Sequence, residues 1–241
     1  MSLGTADLGT FTYGFESGGT TLPSAHATTA VGGGTFNLNA FLGATRYYGH
    51  STPITGQNTV STNLEAGHIW NGHEALTHVT TFTQGTAAWG GGSVAPLYDR
   101  HATWAGLFIG GRQTTVNPSI RQQGIAPGTD LRSAAIATVW SGTSYALSFG
   151  ISDETLLTAY DASFGTADVI NSSFGGGDPG GMGSISWFAD IYSFFGSKTT
   201  YVVSAGNDGP ATNSVDAPGS AYNTLTVAAL GNANAFNTVA S

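Results

Sequence analysis

The feature that most constrains the fold is an alternation of helix and strand signals through the C-terminal half of the chain. Leu156, Tyr160 and Phe164 recur at every fourth position, and Gly165 stands where a helix of that spacing would end. Short runs of small and β-branched residues precede and follow this stretch. Strands that alternate with helices of about 10–15 residues indicate βαβ units. The sequence therefore predicts an α/β fold with a parallel, doubly wound sheet covered on both faces.

The individual elements can be placed along the chain. A β-prone run at 60–64 leads into Glu65, and small apolar residues predict a buried helix at 101–111. A helix capped by Ser152 and an aromatic-faced helix closed by Gly196 follow. Further strands are predicted at 131–139, 168–171, 201–204 and 224–228.

Composition narrows the functional classes. Only 8% of the residues are charged and the formal net charge is −8, so the surface would repel the phosphate backbone of a nucleic acid. The absence of cysteine excludes disulfides, thiolate metal sites and a cysteine nucleophile. No apolar run is long enough to predict a membrane span. The low charge and the abundance of Gly, Ser, Thr and Asn favour a secreted or cell-surface protein.

Three residues with catalytic potential follow predicted strands or open a predicted helix. Glu65 follows the first predicted strand, His101 opens the small-residue helix, and Asn207 follows the strand at 201–204. In parallel sheets, ligands bind outside the carboxyl ends of the strands. A carboxylate can fix the tautomer of a histidine that takes a proton from a nucleophile, and an amide can hold the developing oxyanion. These residue types therefore point to acyl transfer.

Four segments in register resemble the subtilase family of serine peptidases. His-Ala-Thr at 101–103 is similar to that family's His-Gly-Thr, and Gly-Ile-Ala-Pro-Gly-Thr-Asp-Leu at 124–131 resembles its Gly-Val-Ala-Pro segment. Asp-Val-Ile-Asn-Ser-Ser-Phe-Gly-Gly at 168–176 and Val-Val-Ser-Ala-Gly-Asn-Asp-Gly at 202–209 resemble its substrate-binding and oxyanion segments. Together these segments place the resemblance over about residues 55–241.

The resemblance implies both a fold and a set of roles. The fold would be the subtilisin-type sheet, with residues 1–45 as a lead-in and 46–241 as part of the catalytic domain. His101 would be the general base, with Glu65 at the acid position and Asn207 as an oxyanion donor. A peptide substrate would bind by strand addition. The residues implied to bind it are Ser173, Phe174, Gly175, Ala205 and Gly206.

The chain departs from the family pattern at two positions. Glu65-Ala66-Gly67 replaces the expected Asp-Ser/Thr-Gly, and the extra methylene displaces a carboxylate by about 1.5 Å unless the backbone compensates. The family's Gly-Thr-Ser-Met-Ala-x-Pro is also missing after Asn207. Gly-Thr-Ser-Tyr-Ala at 142–146 lies too early and lacks the proline, so Ser144 is not predicted to be the nucleophile. We expect the serine on a C-terminal segment of the same precursor, present as a second chain that a nick in an exposed loop has separated from this one.

Other residues in the chain suggest rival sites and an alternative function. His73 and His78 lie five residues apart, whereas two zinc-binding histidines on one helix face need a spacing of four. Asp99 is a rival carboxylate for His101, and calcium binding is possible, although no ligands can be assigned. The main alternative is a catalytically weak or inactive subtilase fold kept as a binding module.

Overall fold

The computed structural model describes residues 30–31, 34–35, 38–84, 98–113, 123–136, 153–196, 198–209 and 211–228. A short antiparallel pair, β1 (Ala30–Val31) and β2 (Gly34–Thr35), comes first, followed by two single-turn helices, α1 (Leu38–Phe41) and α2 (Thr45–Tyr48). These elements fall within or beside the predicted lead-in. The division into a lead-in and a catalytic domain at residue 45 stays a prediction.

The described residues form a main sheet of six strands: β3 (Val60–Glu65), β4 (Phe82–Gln84), β5 (Asp130–Ala135), β6 (Val169–Ser172), β7 (Thr200–Ser204) and β8 (Leu225–Val227). Their order in the sheet is β4-β5-β3-β6-β7-β8, and every neighbouring pair is parallel. Parallel strands need crossover connections, and in the described residues helices lie in the connections from β4 to β5, from β5 to β6 and from β6 to β7. The predicted doubly wound α/β sheet is therefore confirmed.

In the part of the chain that the structure describes, three longer helices cover the sheet: α3 (Arg100–Gly110), α4 (Asp153–Ser163) and α5 (Ser184–Phe195). The helix predicted at 101–111 corresponds to α3, and Gly196 follows the last residue of α5 as expected. The predicted cap Ser152 and the end of the predicted strand at 137–139 lie outside the described residues. The start of α5 is capped from a preceding loop, because Asp178 Oδ2 accepts hydrogen bonds from Gly183 N and from Ser186 Oγ, both at 2.8 Å.

Apolar side chains fill both sides of the sheet. On one side, α4 and α5 pack over alternate residues of the strands, and the cluster includes Leu64, Ile136, Leu156, Ile170 and Val203. On the other side, α3 covers a second cluster, which contains Ile69, Leu76, Val79, Ala102 and Leu131. At Gly106 the backbone of α3 comes close to the side chain of Ile69, because a Cβ added there would lie 2.8 Å from Cδ1 of Ile69. Small residues in α3 therefore let the helix pack closely against the segment that follows β3.

Candidate active site at the carboxyl edge of the sheet

The first turn of α3 is fixed by Asp99. This residue has extended backbone, and its Oδ2 accepts a hydrogen bond from Ala102 N at 3.0 Å. The hydroxyl of Thr103 donates to the carbonyl of Asp99 at 2.6 Å. Burial raises the pKa of the Asp99 carboxyl. Asp99 is therefore the N-cap of α3, and its carboxylate orients the helix start instead of bonding to the imidazole of His101.

Glu65 pairs with His101. Glu65 is the last residue of β3, and its side chain is 2% exposed, whereas the imidazole of His101 is 54% exposed. Nδ1 of His101 lies 3.3 Å from Oε2 of Glu65. An ionised carboxylate can only accept hydrogen bonds. This geometry therefore places the proton on Nδ1 of His101 and leaves Nε2 as the basic nitrogen. The hydrogen bond to Glu65 raises the pKa of His101, against an opposing effect of burial.

The second carboxylate oxygen of Glu65 bonds to the backbone at the end of β6, which neighbours β3 in the sheet. Oε1 accepts a hydrogen bond from the backbone N–H of Ser173 at 3.0 Å, one residue past the end of β6. Both carboxylate oxygens are thus bonded, which the burial of a charged group requires. The glutamate is long enough to bridge α3 and the end of β6. Its extra methylene is therefore accommodated by the surrounding backbone.

A buried amide supports this arrangement. The side chain of Asn63, which is fully buried in β3, donates from Nδ2 to the carbonyl of Ala102 at 3.0 Å. Its Oδ1 accepts from Nδ2 of Asn171 on β6 at 2.9 Å, and Asn171 also donates to the hydroxyl of Ser173 at 3.2 Å. This network holds α3, β3 and β6 in register. Our sequence reasoning missed it, although an asparagine inside a buried strand was the available signal.

The remaining predicted site residues lie along the same edge. Ser173, Phe174 and Gly175 follow the last ladder pair of β6, and the side chain of Phe174 is buried in the core, so only its backbone can face a ligand. Ala205 and Gly206 follow β7, and Gly206 has a φ of +91°, which favours glycine. The side chain of Asn207 is exposed. Because β6 separates β3 from β7, the carboxyl ends of β3 and β7 are about 10 Å apart.

The rival metal site is not assembled in the described part of the chain. Residues 71–78 form turns, and Nδ1 of His73 accepts a hydrogen bond from Ala75 N at 3.1 Å. Burial lowers the pKa of His78. Within the described ranges, no group of three or more His, Asp or Glu side chains is close enough to hold a metal ion. A calcium site therefore stays a prediction without assigned ligands.

A parallel, doubly wound sheet with a carboxylate–histidine pair at its carboxyl edge defines an α/β domain suited to acyl transfer. The chain belongs to the subtilase family: the family model Peptidase_S8 matches residues 47–241, so this region is a subtilase-family peptidase domain. No curated protein matches the chain in sequence.

The solved structures that share the fold include those of two proteases. One is the prenylagaramide maturation protease PagA, with a TM-score of 0.53 and 17% identity, covering 76% of this chain and 57% of the other. The second is the psychrophilic subtilisin-like protease Apa1 from the Antarctic psychrotroph Pseudoalteromonas sp. AS-11, with a TM-score of 0.53 and 18% identity over 78% of this chain. This chain spans 57% and 39% of their lengths. Among the described residues, no helix combines the length and apolarity needed to cross a lipid bilayer.

Proposed function

We propose that this protein is a serine endopeptidase that hydrolyses peptide bonds by nucleophilic acyl transfer. The observation that carries the proposal is the pairing of a buried carboxylate, Glu65, with the half-exposed imidazole of His101 at the carboxyl edge of a subtilase-type sheet. A histidine held in one tautomer by a buried carboxylate is the arrangement that a general base requires.

His101 would act as the base through Nε2. Glu65 orients the ring and stabilises the imidazolium that forms when the serine proton is taken up. No serine hydroxyl bonds to His101 within the described residues. The imidazole is exposed enough to receive a hydroxyl from outside them.

The substrate would lie along the ends of β6 and β7. Ser173–Gly175 follow the last ladder pair of β6 and would offer backbone groups to an extended peptide, while Ala205 and Gly206 would form part of the pocket for its side chain. Asn207, exposed at the end of β7, would donate to the oxyanion from its side-chain amide. These roles place the peptide across the end of β6, between the base on α3 and the oxyanion donor beyond β7.

We further propose that the nucleophilic serine belongs to a C-terminal segment of the same precursor, outside these 241 residues. Apolar side chains on the strand beside β7 support this: Leu225 and Val227 of β8, the outermost strand of the sheet as described, are 57% and 53% exposed. Contiguous exposed apolar surface commonly marks a contact with another segment or chain. The low charge of the chain is in keeping with a secreted or cell-surface location.

A fluorophosphonate probe tests the proposal, because only an activated serine reacts with it. The full-length protein is expected to be labelled, and His101→Ala should abolish labelling. His50→Ala, a change at an exposed histidine, is the matched control and should leave labelling intact. Mass mapping of the labelled peptide then locates the serine. A label on Ser144 would refute the proposed position of the nucleophile and leave the peptidase assignment standing.

The alternative is a catalytically weak or inactive binding module. One observation favours it: the 3.3 Å separation of Glu65 and His101 is longer than the usual range of about 2.7–3.2 Å. A folded full-length protein that takes up no label would contradict the peptidase proposal and support this alternative.

A further inference from the structure

The loop between β7 and β8 returns to the proposed substrate cleft. Ala217 and Gly176 form an antiparallel bridge with backbone hydrogen bonds of 2.8 and 3.0 Å. Asp216 N donates to the carbonyl of Ala205 at 3.1 Å. Two independent backbone contacts therefore hold Asp216 between the ends of β6 and β7.

The side chain of Asp216 lies against bare glycine backbone on both walls of this cleft. A Cβ added to Gly175 would come within 2.6 Å of Asp216 Cβ and 3.1 Å of its Oδ2. A Cβ added to Gly206 would overlap Oδ2 of the same carboxylate. Glycine at both positions thus leaves room for this carboxylate, and any larger residue at either would collide with it.

The carboxylate has no cationic partner in the protein as far as the structure describes it. Asp216 is partly buried, and it forms no salt bridge within the described ranges. Burial, with a smaller effect from the like charge of Asp208, raises the pKa of the Asp216 carboxyl. A partly desolvated carboxylate next to another acid is stabilised when a cation is brought to it.

We propose that Asp216 forms the floor of the pocket for the residue on the acyl side of the scissile bond, and that it selects lysine or arginine there. The inference rests on the proposed peptidase function, because it takes the ends of β6 and β7 as the pocket walls. A basic side chain entering between Gly175 and Gly206 would meet the carboxylate that lies against both of them. Sequence reasoning missed Asp216, because an aspartate two residues before a Pro-Gly pair is indistinguishable from ordinary turn chemistry.

The test compares four fluorogenic peptides that differ only at the residue before the cleaved bond: arginine, citrulline, phenylalanine and glutamate. Citrulline matches arginine in shape but carries no charge. The full-length protein is expected to cleave the arginine peptide with a kcat/KM about 10- to 100-fold above that of the citrulline peptide, as for a charge-assisted hydrogen bond. Asp216→Asn, which preserves size, should reduce that ratio to about threefold or less. Asp208→Asn is the matched control and should retain most of it.

The outcomes separate the inference from the proposed function. Preferred cleavage of the phenylalanine or citrulline peptide would overturn the role of Asp216 and leave the peptidase function intact. Binding of the same peptides to the His101→Ala variant provides a readout without turnover, and a preference for arginine that Asp216→Asn removes would support the inference even if no peptide is cleaved. Absence of both cleavage and arginine-selective binding overturns it. Asp216→Ser, checked by thermal unfolding, replaces Asp216→Asn if the latter does not fold.

Discussion

Replacing Glu65 by aspartate, the residue that subtilases normally carry at the acid position, should lower both the activity and the stability of this protein. Glu65→Asp shortens the side chain by one methylene, which retracts the carboxylate by about 1.5 Å. The distance from the carboxylate to His101 Nδ1, now 3.3 Å, would grow to about 4.8 Å if the backbone stays in place, well beyond a hydrogen bond. The bond from Ser173 N, now 3.0 Å, would be stretched as well.

The expected loss follows from these distances. A displacement of about 1 Å in a catalytic group can cost on the order of 100-fold, so kcat/KM of Glu65→Asp should fall by about that factor. The free energy of unfolding should also fall, by about 1.5–3 kcal/mol, because a buried carboxylate loses its hydrogen-bond partners. Steady-state hydrolysis by the full-length protein measures the first quantity, and urea unfolding measures the second.

The matched control is Glu74→Asp, the same chemical change within the turns at 71–78. It should leave kcat/KM unchanged within about twofold, as for a site away from the chemistry. If Glu65→Asp were as active as the unmodified protein, the backbone would not be positioned for the longer side chain, and our reading of the Glu65 geometry would be wrong.

Two further predictions follow from the same site. The hydrogen bond to Glu65 raises the pKa of His101 above its ordinary value. Activity that needs the neutral imidazole should therefore be lost as the pH falls through a value above about 6.5. Glu65→Gln should move that acid limb, and the NMR titration midpoint of His101, to lower pH; an unchanged midpoint would contradict the pairing. Asp99→Ala should destabilise the protein by about 1 kcal/mol through loss of the cap on α3, whereas Asp99→Asn should retain most of the stability. Thermal unfolding measures this difference, and equal losses in both variants would rule out a capping role.

Much of the fold is readable from the sequence because it depends on local signals. The four-residue apolar spacing through Tyr160 and the aromatic face closed by Gly196 predicted α4 and α5 closely. The β-branched runs predicted the inner strands, and their alternation with helices predicted a parallel sheet. The spacing of apolar residues in a segment shows which of its faces is buried. This spacing depends only on residues a few positions apart, so it can be read from the sequence.

The order of the strands was decided only by tertiary structure. The order β4-β5-β3-β6-β7-β8 places the sixth strand of the chain between the third and the seventh, and no local pattern specifies which strands become neighbours. That neighbourhood is what brings Glu65 at the end of β3 within 3.0 Å of Ser173 after β6, although 108 residues separate them.

The sequence by itself determined the α/β class, the positions of the main helices and strands, and the residue types at the strand ends. Tertiary structure decided what those residues do. Asp99 and Glu65 were both candidate partners for His101, and only the packing of α3 on β3 makes one the helix cap and the other the bonded carboxylate. The position of Asp216 between the ends of β6 and β7 likewise depends on the tertiary structure. Local patterns report burial and backbone preference, whereas a site depends on distances between segments far apart in the chain, and these exist only once the sheet has formed.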